Sequence, residues 1–287
     1  MADSLRPAAP QDQPQIWNGP VVPSSGTAEP PPGPAGQRLF ARYAYAPNQL
    51  GYCGPADSAA LAELASTGRT EGDVDVRSIA GRFSGAWPYL CVLAEIAGIE
   101  DPLDEQVVRA YWTGSALLDE VNRARFWRKL LDRIAKAGAG RYWAHLTPAL
   151  LSEAMPTHAF HVFGVYPWTR LLTSAPADPG PALQVLDSCR IRWGRVTSVD
   201  GEQAMVRGRH LAWDGHTLRL GEETEDSVRI IENGRAFVTD VSPGDWLAIH
   251  WDLACDRLAV DQLWQLRRWT DWQLVATNVR LAREATP

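Results

Sequence analysis

The apolar positions of the chain follow two different rhythms, and the change between them falls near residue 175. From Leu39 onward they recur every three or four residues, the spacing of an amphipathic helix. "RLFARYAY" begins a helix that the pattern breaks at Pro47. The chain turns from Gly51 to Pro55 and resumes as a helix after Asp57, with Pro55 suited to a first helical turn. "VDVRSIAGRFSGAWPYLCVLAEIAGI" predicts a helix with a break near Pro88. "DEQVVRAYWTGSALLDEVNRARFWRKLLDRIAKA" predicts two amphipathic helices, and the mixed charges of its second half mark a solvated face. "AFHVFGVYPW" is dense in β-branched and aromatic residues, which predicts a strand ending at Pro167. On a strand, His158 and His161 would point to opposite faces, which argues against a chelating pair.

"TSAPADPGPA" is a Pro/Gly connector. Beyond it the rhythm becomes that of strands. "ALQVLDSCRIRWGRVTSVDGEQAMVRGRHLAWDGHTLRLG" predicts strands joined at Asp-Gly turns. "RAFVTDVSPGDWLAIHWDLACDRL" adds two more around the turn Ser242 to Asp245, and "AVDQLWQLRRWTDWQLVATNVRLA" reads as a closing helix. Short strands with no room for crossover helices suggest a small barrel. The expected fold class is therefore α+β. A mainly helical domain over residues 37–175 precedes a small OB-like β-barrel with a C-terminal helix over 183–284. Residues 1–36 hold nine of the 21 prolines and are expected to form a disordered tail.

Composition narrows the function. The formal net charge is −6 and the basic residues are scattered, which argues against a nucleic-acid partner. No apolar run follows a basic stretch at the N-terminus, and no window reaches the roughly 20 apolar residues of a membrane span. A soluble, cytoplasmic protein is the expectation. Four cysteines, at 53, 91, 189 and 255, are too few for a disulfide framework in a chain of 287 residues. Most of the 13 tryptophans are expected in the core or at an interface. Cys91 reads as helix core and Cys255 as packing at the start of the last helix. No Walker loop, Rossmann glycine pattern or zinc-ligand spacing appears.

Cys189 and Cys53 remain. Cys189 opens the block Cys189-Arg190-Ile191-Arg192-Trp193-Gly194-Arg195-Val196, which runs through Val199-Asp200-Gly201 to Ala204-Met205-Val206. A second block reads Val241-Ser242-Pro243-Gly244-Asp245-Trp246-Leu247-Ala248-Ile249-His250, with Ala254 and Leu258 after it. Taken in order, the two blocks resemble the HypC/HupF family of [NiFe]-hydrogenase maturation chaperones over residues 188 to about 268. Cys189 is internal here, and Trp193 stands where that family's motif has a proline. The whole chain is also similar to an uncharacterised bacterial family found beside hydrogenase genes. The resemblance implies an OB-like barrel, not an enzyme, that docks the hydrogenase large subunit, its precursor or other maturation proteins. It implies an Fe(CN)2(CO) unit carried on Cys189, with His250 the neighbouring motif histidine. A soft thiolate suits low-spin iron.

Cys53 supports a competing reading. It lies in a glycine-rich turn before a helix, where amides lower a thiol's pKa. Gln49, Cys53, His161 and Asp187 follow in the order of a papain-like hydrolase or amidase. A third reading places Cys53 and Cys189 across the domain interface as an iron site with His161 or His158. A fourth is a non-catalytic binding module whose thiols are structural.

Overall fold

The structure, a computed structural model, describes residues 35–56, 58–70, 74–136, 146–173 and 178–284. The expected tail lies outside the described residues except for its last two, which already belong to helix α1 (Ala35–Gln49). Pro47 sits inside the end of this helix instead of breaking it. The Asn48 side chain then donates to the carbonyls of Cys53 (2.8 Å) and Pro55, which folds the following residues into a compact strap. Helices α2 (Ser58–Thr67), α3 (Val76–Gly81), α4 (Trp87–Ala97), α5 (Glu105–Thr113) and α6 (Arg123–Lys136) follow. Pro88 lies in the first turn of α4, where its missing N–H costs nothing, so it starts a helix and does not interrupt one. Cys91 is buried in α4.

Two predicted strands are helical. Residues 158–165 form a short helix α7 (His158–Phe160) that widens into a π turn (His161–Val165). The hydroxyl of Thr157 caps it by accepting from the Phe160 amide at 3.2 Å. A helix buried on all sides is apolar all round, so the apolar run that suggested a strand fits this segment equally well. After α8 (Trp168–Thr173), residues 180–189 form α9 (Gly180–Cys189), opened by Pro181 in its first turn. Cys189 thus ends a helix, and the barrel begins at Arg192.

The barrel is built from β1 (Arg192–Asp200), β2 (Gln203–Trp213) and β3 (Leu218–Arg229). A two-stranded ribbon, β4 (Ile231–Glu232) and β5 (Arg235–Ala236), precedes β6 (Trp246–His250) and β7 (Leu253–Arg257). The order β1-β2-β3-β7-β6 closes on itself, with β3 and β7 the parallel pair. Cys255 lies wholly buried in β7, before the last helix and not at its start. At Gly194 a Cβ would lie 2.9 Å from the Val206 Cβ, so the motif glycine lets β1 approach β2. Val196, Val206, Val228, Leu247 and Ile249 fill the interior.

Besides the barrel's own interior, a larger apolar core joins the barrel to the helical region. One apolar cluster runs from Phe40 and Tyr43 of α1 through Trp112 of α5 to Ala248, Leu253 and Cys255 of the barrel. It continues into Leu263 and Trp269 of the long helix α10 (Val260–Glu284). Each such side chain contributes about 1.5–3 kcal/mol by burial.

Two polar networks fix the elements that carry the candidate residues. In the first, Arg280 of α10 donates through Nε to buried Glu153 (2.5 Å) and through its second arm to the Phe163 carbonyl (2.9 Å). Thr277 (2.9 Å) and Gln273 (3.2 Å) also donate to Glu153. Helix α10 thereby clamps the π turn. In the second, Asp187 of α9 accepts from Arg190 (2.9 Å), His210 (2.5 Å) and the Leu211 amide (2.8 Å). Nε2 of His210 lies 3.3 Å from Asp226, which Arg192 also bonds. This network locks the end of α9 onto the β2–β3 hairpin. The hydrogen bonds to Asp187 and Asp226 raise the His210 imidazole to about 9. Burial pushes the Asp187 carboxyl up, but His210, Arg190 and the Leu211 amide hold it down at about 2.

Both networks make measurable predictions. Arg280→Ala leaves the buried Glu153 carboxylate without its counter-charge, so it should cost about 3–5 kcal/mol in urea denaturation. The double replacement Glu153→Leu with Arg280→Met should recover most of that loss, and a double variant no more stable than the single one would contradict the clamp. For His210, the raised pKa means that its stabilisation is full below about 6.5 and fades as pH rises through about 9. Asp187 contributes above its unfolded value near 3.8 and loses its contribution as pH falls through about 2. Stability should therefore decline between pH 7 and pH 9.5 in the wild type, and His210→Gln should flatten that decline.

Candidate functional site

Helix α7, the end of α9, the end of β6 and the strap after α1 converge on one cavity of about 80 Å³. Cys53, His158, His161, Cys189 and His250 all line it. Cys53 and Cys189, 136 positions apart in sequence, thus share one pocket between the helical region and the barrel. Asp187 is absent from its lining: its carboxylate faces the other way, into the network with His210.

The closest grouping is His158, Cys189 and His250, whose ligand atoms all lie within 4.8 Å of one another. His250 is wholly buried, and its Nδ1 lies 2.7 Å from the Tyr43 carbonyl. A carbonyl only accepts, so Nδ1 carries the proton and Nε2 keeps its lone pair. That Nε2 is buried and has no hydrogen-bond partner. His158 lies with Nε2 2.8 Å from the Cys189 carbonyl and Nδ1 3.3 Å from the Tyr111 hydroxyl. The same hydroxyl is 3.2 Å from the Gly85 carbonyl. A Cβ at Gly85 would meet His161 Nε2 at 2.6 Å, so glycine there makes room for that ring.

The mouth of the cavity is covered by aromatic rings. Tyr52, on the strap, stacks on Trp251 with centroids 4.2 Å apart and planes 25° apart. Trp251 and Asp252 form the two-residue turn between β6 and β7, both with positive φ (52° and 58°). Left-handed backbone costs a residue such as tryptophan roughly 1–2 kcal/mol. The turn is held by the Trp251 amide, which donates to the Ser188 carbonyl at 3.0 Å. That bond joins the residue after His250 to the residue before Cys189.

Burial sets the electrostatics. It lowers the His161 imidazole to about 3 and the His250 imidazole to about 4, the latter against the opposing pull of the Tyr43 and Cys189 carbonyls. It holds His158 well below the usual histidine range, with His250 and His161 adding to the effect. It pushes the Cys53 thiol up to about 12. Cys189 is raised as well, first by burial and then by Cys53 nearby. At neutral pH the pocket therefore holds neutral imidazoles and neutral thiols. This is a poor setting for a thiol nucleophile, which needs the thiolate and a cationic partner. Cys53, His161 and Asp187 do not form a triad, because Asp187 is committed to His210 and Arg190 outside the pocket. The amides expected to activate Cys53 do not do so, since burial outweighs them. The pocket suits a cation instead, which would meet lone pairs and displace a thiol proton.

Cys189, His250, Cys53 and His161 were all singled out from the sequence. His158 enters the sequence reading only as an alternative to His161 beside the two cysteines, since a strand would point the two histidines to opposite faces; on the observed helix and π turn both line the cavity. The signal was Thr157, a cap residue directly before His158. Tyr52, Trp251 and His210 carried no motif.

The fold and the pocket define an α+β protein in which a helical region and a closed barrel share a buried His/Cys site. The chain belongs to a family of unknown function, DUF6390, whose model matches residues 32–284 and so spans both regions. No curated protein and no solved structure matches it. Among the described residues, no helix is long and apolar enough to cross a membrane.

Thiol labelling tests this picture of the pocket. Native protein should react slowly with a mild alkylating reagent at pH 7.5 at both Cys53 and Cys189. Tyr52→Ala should accelerate both by removing the aromatic cover. Fast labelling of Cys53 in the wild type would show that the pocket is open and the thiol activated.

Proposed function

We propose that the protein is a non-enzymatic accessory factor in the assembly of a [NiFe]-hydrogenase metal centre. It works in the cytoplasm, docks the large subunit or its precursor, and carries an iron-cyanide-carbonyl unit as cargo on Cys189. One observation carries the reading. The two residues that the HypC/HupF resemblance marks, Cys189 and His250, come from sequence blocks some 60 positions apart, yet their ligand atoms lie within 4.8 Å in a buried pocket.

The chemistry of the donors supports it. A thiolate and imidazoles suit iron bearing strong-field ligands. The unpaired Nε2 of His250 offers a lone pair beside the thiol, so the cargo's iron would meet a nitrogen as well as a sulfur. The Tyr43 carbonyl fixes that tautomer, as outer-sphere partners of ligating histidines do. The aromatic cover excludes water and protects an oxygen-sensitive cargo. The hydrolase alternative lacks such support, since its acid is turned away from its histidine.

The test is an infrared spectrum of protein purified without oxygen from cells that express the hydrogenase maturation machinery. Cyanide and carbonyl stretching bands should appear and should vanish in Cys189→Ala. Absence of bands while the large subunit co-purifies would leave a docking module with structural thiols. Absence of both bands and partner would overturn the reading.

A further inference from the structure

The barrel's cysteine and histidine do not lie at an open rim. The helical region places a third donor against them. We infer that His158 is a metal ligand in its own right, and that the pocket is a three-donor site for a divalent first-row transition-metal ion, assembled across the two regions. This rests on the reading of Cys189 and His250 as a metal-holding pair and extends it to a residue outside the resemblance.

Three observations support the inference. First, one sulfur and two nitrogens lie within 4.8 Å of one another, close enough for one ion to reach all three after small side-chain shifts. Second, the two imidazoles are prepared from behind. His250 is anchored through Nδ1 on the Tyr43 carbonyl, and its buried Nε2 has no hydrogen-bond partner. An unpaired buried polar atom is costly, and a bound cation removes that cost. Third, His158 can release either nitrogen. If Nδ1 binds the ion, Nε2–H stays on the Cys189 carbonyl (2.8 Å). If Nε2 binds it, Nδ1–H donates to the Tyr111 hydroxyl (3.3 Å). In both cases the hydroxyl donates to the Gly85 carbonyl at 3.2 Å, and in the first the Cys189 carbonyl also keeps its donor.

The donor set selects the class of ion. One thiolate with two neutral imidazoles favours zinc, iron, cobalt or nickel over magnesium and calcium, which need oxygen ligands. Three protein donors leave at least one coordination position, and it faces the cavity lined by Cys53 and His161. The site is therefore built for exchange of a further ligand and not as a closed structural centre. Binding exchanges the Cys189 proton, released to solvent, for the metal–sulfur bond, with no change of oxidation state.

The experiment is cobalt(II) titration of the full, reduced chain under nitrogen, followed by zinc X-ray absorption. Cobalt should produce a thiolate charge-transfer band and the strong visible bands of four-coordination. Zinc should show one sulfur at about 2.3 Å and two nitrogens at about 2.0–2.1 Å. His158→Gln should weaken cobalt binding at least about tenfold, keep the charge-transfer band at high cobalt and remove one nitrogen from the zinc shell. Tyr111→Phe, which keeps the ring and removes the hydroxyl behind His158, should weaken binding about tenfold without changing the ligand count. A His158→Gln protein that binds cobalt as the wild type does, with two nitrogens still on zinc, overturns the inference and leaves the Cys189–His250 reading intact. A wild type that takes up neither ion also overturns it, and the infrared bands then judge the iron-carrying reading separately. Matching thermal melts of variant and wild type identify a loss of binding as a loss of ligand and not of fold.

Discussion

The bond from His250 Nδ1 to the Tyr43 carbonyl, 2.7 Å long and wholly buried, ties the end of strand β6 to the middle of helix α1. It crosses 207 positions of sequence. Around it the apolar core runs without a break from Phe40 and Trp112 to Leu253 and Trp269. The barrel and the helical region are therefore held together by burial, and the pocket is a gap that this shared core leaves. A polar group in such a place must find a partner or remain at a cost. His158 finds two partners, and His250 finds one and keeps a lone pair. That lone pair faces the same gap as His158 and Cys189.

The elements around the gap are held more firmly than their own contacts require. Arg280 reaches from the last helix to Glu153 and to the Phe163 carbonyl, which fixes the π turn carrying His161. Asp187 gathers Arg190, His210 and the Leu211 amide, which fixes the helix end carrying Cys189. Trp251 keeps a left-handed backbone beside His250 and stacks on Tyr52. Strain of this kind persists where neighbouring contacts over-determine it, and here the Ser188 carbonyl and the Tyr52 ring supply them. The cost falls on the turn that orients the pocket.

Burial also decides which chemistry the pocket supports. The same desolvation that keeps the thiols protonated keeps the imidazoles neutral. A nucleophilic thiolate paired with an imidazolium is disfavoured twice, once for each charge. A metal ion reverses the balance, because its own charge stabilises the thiolate that burial opposes. Cys53, expected from sequence to be activated by its turn, becomes a half-buried thiol at the rim of a site centred on Cys189.

The sequence by itself determined the class of the fold, the change from helix to barrel, and the residues worth watching. Strand alternation and Asp-Gly turns marked β1 to β3, and the spacing of Cys189, Gly194 and His250 marked the barrel's motifs. Local pattern failed where burial is complete. An apolar run such as residues 159–165 satisfies strand and buried helix alike, and only the Thr157 cap and the neighbours that surround it chose the helix. That choice turned His158 toward Cys189. The meeting of Cys53, His158, Cys189 and His250 was decided by tertiary structure alone, because it depends on how α1, α7 and α9 pack against β6. Contacts between residues so far apart in sequence arise from shared burial, which no local spacing encodes.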